Sequence, residues 1–425
     1  LVLMHGKDGT GTPEAELARA LFAAGVAAAD PGRAVQAALA DVPPPAGRRL
    51  IVAVGKAACA MAMAARAALG PVETLIVTTD GAAREVPGAE VLRAGHPVPD
   101  ARGLAAAEAV AAQVAALGEG DELIALISGG GSALLPAPLP GITIADKAEV
   151  SRLLLASGAD IRAMNLVRQQ LSTLKGGGLA RLAAPARVRA LVLSDVVGDD
   201  LSVIASGPTM PPIGTRAEAR ALIERLGLLG RVPASVRGVL EHPDTPFSPL
   251  HEVETRLVGS NTLSLAAMAG AVPAGAGPVH RAPRPLEGDV AEAAAQILRE
   301  GAGQGAGVWF WGGETTVRIE GPAGQGGRNQ ELALRVALGA AAAGWAGPWA
   351  FLSGGSDGRD GPTEAAGGLV GPGTVARIVA AGLDPAAHLA RHDSLPALRA
   401  GGALLVTGET GTNVADFQIL VRGRG

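Results

Sequence analysis

Gly326-Gly327-Arg328-Asn329-Gln330-Glu331 combines the residue types from which anion sites are made. Two glycines let the backbone turn tightly and approach a ligand with no Cβ in the way. Leu332, Leu334, Val336 and Leu338 then begin an alanine-rich segment that reads as a helix. The first turn of such a helix offers unpaired N–H groups and the positive end of its dipole. Arg328 stands at that opening, and its planar fork suits the oxygens of a carboxylate or phosphate. Alone, the hexapeptide reads equally well as a solvated Arg328–Glu331 pair at a helix start. The case for an anion site comes from the rest of the chain, which repeats the device.

Leu50 to Val54 is a short β-branched run followed by Gly55-Lys56 and a helix rich in Ala and Met. A lysine at the carboxyl end of an apolar strand lies where open α/β sheets bind ligands. The loop is not a Walker A loop, because no Gly-Lys pair in the chain is followed by Ser or Thr. Glu122 to Ile127 is an apolar strand that opens into Ser128-Gly129-Gly130-Gly131-Ser132, a possible nest of backbone N–H groups for phosphate. Val188 to Leu193 delivers Ser194-Asp195-Val196-Val197-Gly198-Asp199-Asp200, carboxylates that suit a Mg²⁺–phosphate site, one of which could instead cap the next segment. Lys175-Gly176-Gly177-Gly178 is another basic, glycine-rich corner, and Gly312-Gly313-Glu314 follows the strand Gly307 to Trp311. Trp349 to Leu352 runs into Ser353 to Thr363, where Asp357 and Asp360, three apart, do not match a calcium loop. His96 sits in a Pro-rich loop without the Ser and Asp spacing of an acyl-transfer triad, and ranks below Lys56.

These side chains need strands that end together. The alternation of short apolar strands with alanine-rich helices predicts a parallel, doubly wound sheet. At 425 residues the chain should form two domains. Prolines and weak periodicity over Arg231 to Pro249 place the junction there, giving an N-terminal Rossmann-like domain over 15–240 and a smaller C-terminal α/β domain over 255–425. Residues Leu1 to Thr12 have no periodic pattern, and Met4 is a candidate initiator.

Composition removes several function classes. Aromatic residues are 2% with no Tyr, which argues against base-stacking platforms and aromatic sugar clamps. A formal net charge of −4 gives no electrostatic case for nucleic acid or an anionic membrane. The single cysteine, Cys59, allows no intrachain disulfide and fits a reducing cytoplasm. The longest uncharged run, Val336 to Ser356, is broken by Gly344, Gly347 and Pro348 and reads as helix, turn and strand. Loops of Gly, Ser, Thr, Asp and one cation suit a polyanionic, hydroxylated ligand with metal. Phosphoryl transfer fits them best, since it needs positioning and charge neutralisation more than covalent chemistry.

The ordered series Gly55-Lys56, His96-Pro97-Val98-Pro99-Asp100, Ser128 to Ala133, Ser194 to Asp199 and Ser206-Gly207-Pro208-Thr209 resembles the type II glycerate kinases. Gly312 to Thr316, Gly327 to Glu331, Asp357 to Thr363 and Thr410 to Asn413 resemble the MOFRL domain of that family. The resemblance runs from about Leu17 to the C-terminus. It implies ATP- and Mg²⁺-dependent phosphorylation of D-glycerate, most simply to 2-phosphoglycerate, by a monomer or homodimer with its active site in the cleft between the domains. Gln170, Gly178 and Glu409 depart from the His, Arg and Pro frequent in the family. The family's basic site residues fall on Lys56 and Arg328. The resulting expectation gives Lys56, Arg328, Asp195 and Asp357 catalytic roles, and places nucleotide on Ser128, Gly129, Gly130, Gly131, Ser132, Gly312, Gly313, Glu314 and Asn329. Metal falls to Asp195, Asp199 and Asp360, with either Asp357 or Asp360 orienting the attacking hydroxyl. The competing activity is a hydroxypyruvate reductase. A hydride enzyme of the usual kind needs Gly-x-Gly-x-x-Gly after its first strand, where this chain has Gly-Lys. A sensor that binds phosphorylated metabolites without reacting is the remaining alternative.

Overall fold

The computed structural model of the chain describes residues 11–243, 250–303 and 305–424. Met4 and residues 244–249 of the expected junction lie outside the described residues. The chain divides into two compact units, one made of Pro31–Val258 and the other of Leu1–Asp30 with Gly259–Gly425.

The Pro31–Val258 unit is built on strands β1 (Arg49–Val54), β2 (Glu73–Thr78), β3 (Glu90–Arg93), β4 (Glu122–Ile127), β5 (Arg187–Leu193) and β6 (Val253–Gly259). Their order is β3-β2-β1-β4-β5-β6, the order of dinucleotide-binding Rossmann sheets. Strands β1 to β5 pair in parallel. They are apolar on both faces because both are covered. Leu50, Val52, Val54, Leu123, Ala125 and Ile127 pack with Val110 and Val114 of the helix Ala101–Ala115. The alternate residues Ile51, Ala53, Ile124 and Leu126 are equally buried, on the face that carries the helices Pro31–Leu39 and Ala58–Leu69. Four further helices, Ile144–Ala156, Ile161–Gln170, Arg216–Arg225 and Ala234–Glu241, close a separate apolar cluster around Val150, Leu153, Val167 and Ile223.

The other unit carries β7 (Val279–Arg281), β8 (Leu286–Asp289), β9 (Gly307–Thr316), β10 (Trp349–Gly355), β11 (Gly367–Val370), β12 (Leu404–Leu405) and β13 (Asp416–Arg422) in one sheet ordered β12-β11-β10-β13-β9-β7, with β8 also on β9. Strand β13 is central, antiparallel to both β10 and β9. One face is covered by the helix Arg328–Ala342, whose Leu332, Leu334 and Val336 pack with Trp309, Trp311, Phe351 and Leu420. The other receives the helix Pro13–Ala28, the first among the described residues, through Phe22, whose ring meets Phe417 edge-on at 5.7 Å.

That helix departs from the expected boundaries. Residues 15–240 assigned it to the first domain, but its apolar stripe, Ala15, Ala18, Leu21, Phe22 and Gly25, is buried in the C-terminal unit. Gly25 lets the helix Asn261–Gly270 come close, since a Cβ there would lie 2.9 Å from Met268 Sδ. Strand β9 also runs further than expected, through Thr316, so Gly312, Gly313 and Glu314 stand in a strand and not in a loop beyond it. No helix of the described residues is long and apolar enough to cross a membrane.

Candidate active site

In a sheet of this order the strand connections reverse direction between β1 and β4, and the crevice beyond their carboxyl ends is where such sheets bind ligands. Gly55-Lys56 leaves β1 there and Ser128–Ser132 leaves β4. Hydrogen bonds lock the two turns together. Lys56 N donates to Gly129 O at 2.9 Å and Ala57 N donates to Ser128 Oγ at 3.1 Å, while Thr78 Oγ1 from β2 donates to Gly55 O at 2.8 Å. Gly55 has φ +121°, and a Cβ on it would fall 2.2 Å from Ser128 Oγ, so the close approach requires glycine. Ser128 is therefore a buried brace between the turns.

The exposed face of this corner is assembled around Gly130. Its φ of +86° is left-handed, and the place of a Cβ would lie 3.0 Å from the His96 ring and 3.6 Å from Lys56 Cγ. Lys56 and His96 are both exposed residues, with one side of the His96 ring against Gly130. Burial and the Lys56 charge both hold the His96 imidazolium below its ordinary range, favouring the neutral ring. Gly129 is overlain by a carboxylate: a Cβ would fall 1.9 Å from Asp195 Oδ2. Of the other two acids after β5, Asp200 is a turn cap, accepting from Ser202 N at 2.9 Å and Ser202 Oγ at 2.5 Å and pairing with Arg162. Asp199 differs. It has a left-handed φ of +55°, and its Oδ1 is buried with no hydrogen-bond partner among the described residues. An orphaned carboxylate oxygen in a strained residue of the loop that carries Asp195 fits a cation. No cluster of three or more His, Cys, Asp or Glu side chains that could hold a metal occurs among the described residues. Mg²⁺ needs only one or two carboxylates when phosphate and water complete its shell.

In the C-terminal unit the functional groups gather at the start of the helix Arg328–Ala342. Arg328 is held side-on by Asp416, the first residue of β13, through Nε to Oδ2 at 2.6 Å and Nη2 to Oδ1 at 3.1 Å. Its Nη1 donates to Glu314 Oε1 on β9 at 2.6 Å. The two acids are not equivalent, because the Asp416 side chain is 2% exposed and that of Glu314 is 46% exposed. Burial works against the Arg328 charge, but the hydrogen bonds and charge of Asp416, with Glu314 and Asp360, outweigh it and raise the pKa. Burial raises the Asp416 carboxyl, with Arg328 opposing.

Asp360 has the task of a helix cap. Its Oδ1 accepts from Asn329 N at 3.0 Å and its Oδ2 from Gln330 N at 2.8 Å, so both oxygens are engaged by the first turn of the helix. Burial pushes its carboxyl up to about 6, against the effect of those two N–H bonds. Asn329 is also turned inward, accepting from Ser353 Oγ at 2.6 Å. Gly312 and Gly313 are explained by packing: a Cβ on Gly312 would overlap Asn261 Oδ1 at 1.8 Å, and one on Gly313 would meet Leu286 O at 2.3 Å. Asp357 is partly exposed, with Oδ1 accepting from Arg359 N at 2.9 Å.

The structure thus brings Lys56, Ser128 to Ser132 and Asp195 to one strand-end corner of one unit, with Asp199 further along the loop after β5, and Arg328 and Glu314 together in the other. Asn329 and Asp360 lie in the polar layer that supports Arg328. Sequence reasoning missed Asp416. The available signal was a lone carboxylate heading the apolar run Phe417 to Val421, which in a buried strand must meet a cation.

Fold and site together define a class: an α/β protein of two units whose glycine-rich strand ends present cations, backbone N–H groups and carboxylates, the equipment of phosphate chemistry. Residues 17–241 match the family described as a domain of unknown function, DUF4147, and residues 307–416 match the MOFRL family. A D-glycerate 2-kinase of Thermotoga maritima is 40% identical over 88% of this chain and 90% of its own. A protein of Agrobacterium vitis named "putative hydroxypyruvate reductase" is 43% identical over 96% of this chain and 94% of its own. The crystal structure of a glycerate kinase from Thermotoga maritima superimposes with a TM-score of 0.87 at 36% identity, covering 96% of this chain and 99% of that one. The chain belongs to the type II glycerate kinase family, with its MOFRL domain.

Proposed function

We propose that this chain is a glycerate 2-kinase that transfers the γ-phosphoryl group of ATP to the 2-hydroxyl of D-glycerate. The observation that carries the reading is the corner where the Lys56 side chain flanks Gly130 and the Asp195 carboxylate lies against Gly129. A cation, a run of backbone N–H groups and an acidic pair at one strand end match the needs of a polyphosphate and its counterion. The substrates of the glycerate kinase relatives support the assignment.

In this reading Lys56 and the Ser128–Ser132 backbone hold phosphate oxygens, and Asp195 and Asp199 would hold Mg²⁺. The ion, when bound, neutralises charge on the phosphates. Arg328 binds the substrate carboxylate or the transferring phosphoryl group through its outer edge, oriented from behind by Asp416. The substrate hydroxyl oxygen forms its bond to the γ-phosphorus as the bond to the β–γ bridging oxygen breaks, and ADP leaves. The hydroxyl proton passes to a carboxylate, and Asp357 has the accessibility that the buried cap Asp360 lacks. The single cysteine, Cys59, which is buried, fits a reducing cytoplasm, where we place the protein as a monomer or homodimer.

The sheet order, and the name of the Agrobacterium vitis relative, favour hydroxypyruvate reduction as a second reading. Gly55-Lys56 lacks the glycine pattern that seats a dinucleotide pyrophosphate. ADP release with a panel of small hydroxy acids, run beside NADH and NADPH oxidation with hydroxypyruvate, separates the two. We expect turnover with D-glycerate and none with either reduced nicotinamide. Reduction of hydroxypyruvate without ADP formation would replace the kinase reading.

A further inference from the structure

Two lysines of the Pro31–Val258 unit are buried with no carboxylate ion pair among the described residues. Lys147, on the helix Ile144–Ala156, donates to the carbonyl oxygens of Pro136 and Leu171. Lys175 donates to Ser132 O at 2.6 Å and Ser132 Oγ at 2.9 Å. The reason lies in the segment they serve. In a continuing helix Ser132 O would receive the N–H of residue 136. Residue 136 is proline and has no N–H to give, so Lys175 satisfies that carbonyl. Ser132 Oγ is fixed from its other side by Ser206 Oγ at 2.9 Å, and Ser206 in turn donates to Asn165 Oδ1 at 2.5 Å.

The arrangement is costly. Burial pushes Lys147 down to about 7 and Lys175 well below its ordinary value. Arg168 repels both, Lys147 also repels Lys175, and no carboxylate acts in the opposite direction. A lysine pressed toward its neutral form still donates to Ser132, and an anion held by the glycine loop would favour its charged form.

We propose that Lys175 is a positioning residue for nucleotide binding, setting Ser132 and with it the shape of the Ser128–Ser132 loop that takes the polyphosphate of ATP. The inference rests on the assignment of that loop to phosphate. Lys175 is itself buried and reaches the ligand only through Ser132. It acts on the shape of the loop.

The test is ATP binding by titration calorimetry on the full chain, with KM for ATP and for glycerate measured in parallel, for wild type, Lys175→Met and Lys147→Met. The Lys147 variant is the control, as buried as its neighbour and without contact to Ser132. Lys175→Met should weaken ATP binding about tenfold and raise KM for ATP to match, with KM for glycerate unchanged. Lys147→Met should lose thermal stability and keep its ATP affinity. Unchanged ATP affinity in Lys175→Met, or equal weakening in both variants, would overturn the proposal. If Lys175→Met does not fold, Ser206→Ala serves, since it removes the other hydrogen bond to Ser132 Oγ. It should also weaken ATP binding, and an unchanged affinity would count against the proposal. A wild type that binds ATP but makes no ADP from glycerate would remove the kinase reading alone. One that does not bind ATP at all would remove both.

Discussion

Arg328 and Lys56 are the two cations that the proposal sets against substrate anions, but the structure supports them differently, and that difference can be measured. Lys56 is exposed at a turn. Its change to Met should cost less than about 0.5 kcal/mol of stability. Arg328→Met leaves the buried Asp416 carboxylate without its partner, so it should cost about 3 kcal/mol, read by chemical denaturation. Each change should lower the rate of ADP formation on the order of 10³-fold if the charge acts on the transferring phosphoryl group. Asp416→Asn tests the support directly. It keeps the volume and one acceptor but removes the charge that fixes the guanidinium, so kcat should fall while the exposed contact to Glu314 persists. An Asp416→Asn enzyme with full kcat would show that Arg328 needs no fixed orientation.

At the scale of elements, the helix Arg328–Ala342 depends on Asp360 as its cap. The Asp360 carboxyl is raised from 3.8 to about 6, so between these values the folded protein holds a proton that the unfolded chain has lost. Stability relative to Asp360→Asn should therefore fall as pH rises through that window, by on the order of 2–3 kcal/mol, and level off above it. Denaturation midpoints of the two proteins from pH 4 to pH 7 check this, and a difference that grows with pH would contradict it. Gly130 is the matching element-scale test in the other unit. Alanine there must adopt φ near +86° and push on the His96 ring, at a cost of about 1 kcal/mol. Turnover should fall far more than stability.

Much of this was legible in the chain. The β-branched and apolar runs placed β1, β2, β4, β5, β10 and β13, because buried parallel or central strands must be apolar throughout. Strands β7, β8 and β11 were not seen, being short and, as Leu286-Glu287-Gly288-Asp289 and Gly367-Gly368-Leu369-Val370 show, rich in residues that strands disfavour. Lys56, Asp195 and Arg328 could be picked out because their motifs are local. Asp416 shows only as a buried acid in want of a cation, since its pairing with Arg328 spans 88 positions and leaves no spacing to read. For Asp360 the sequence does not separate ligand from cap, because an exposed metal acid and a buried cap have the same sequence appearance. The unit to which helix Pro13–Ala28 belongs is hidden for a related reason: its stripe shows that it packs, not against which sheet.

For the whole molecule, the proposal gives Lys56 and Arg328 to one reaction. Lys56→Met with Arg328→Met should then lose less rate than the product of the single losses, because each removes charge from the same transition state. Strictly multiplicative losses would assign the two residues to independent steps. The most direct measurement is phosphorus NMR of the reaction of purified wild-type protein with ATP, Mg²⁺ and D-glycerate. The account predicts ADP and 2-phosphoglycerate in equal amounts, abolished by Lys56→Met. No phosphoglycerate under conditions in which the protein is folded and binds ATP would contradict it.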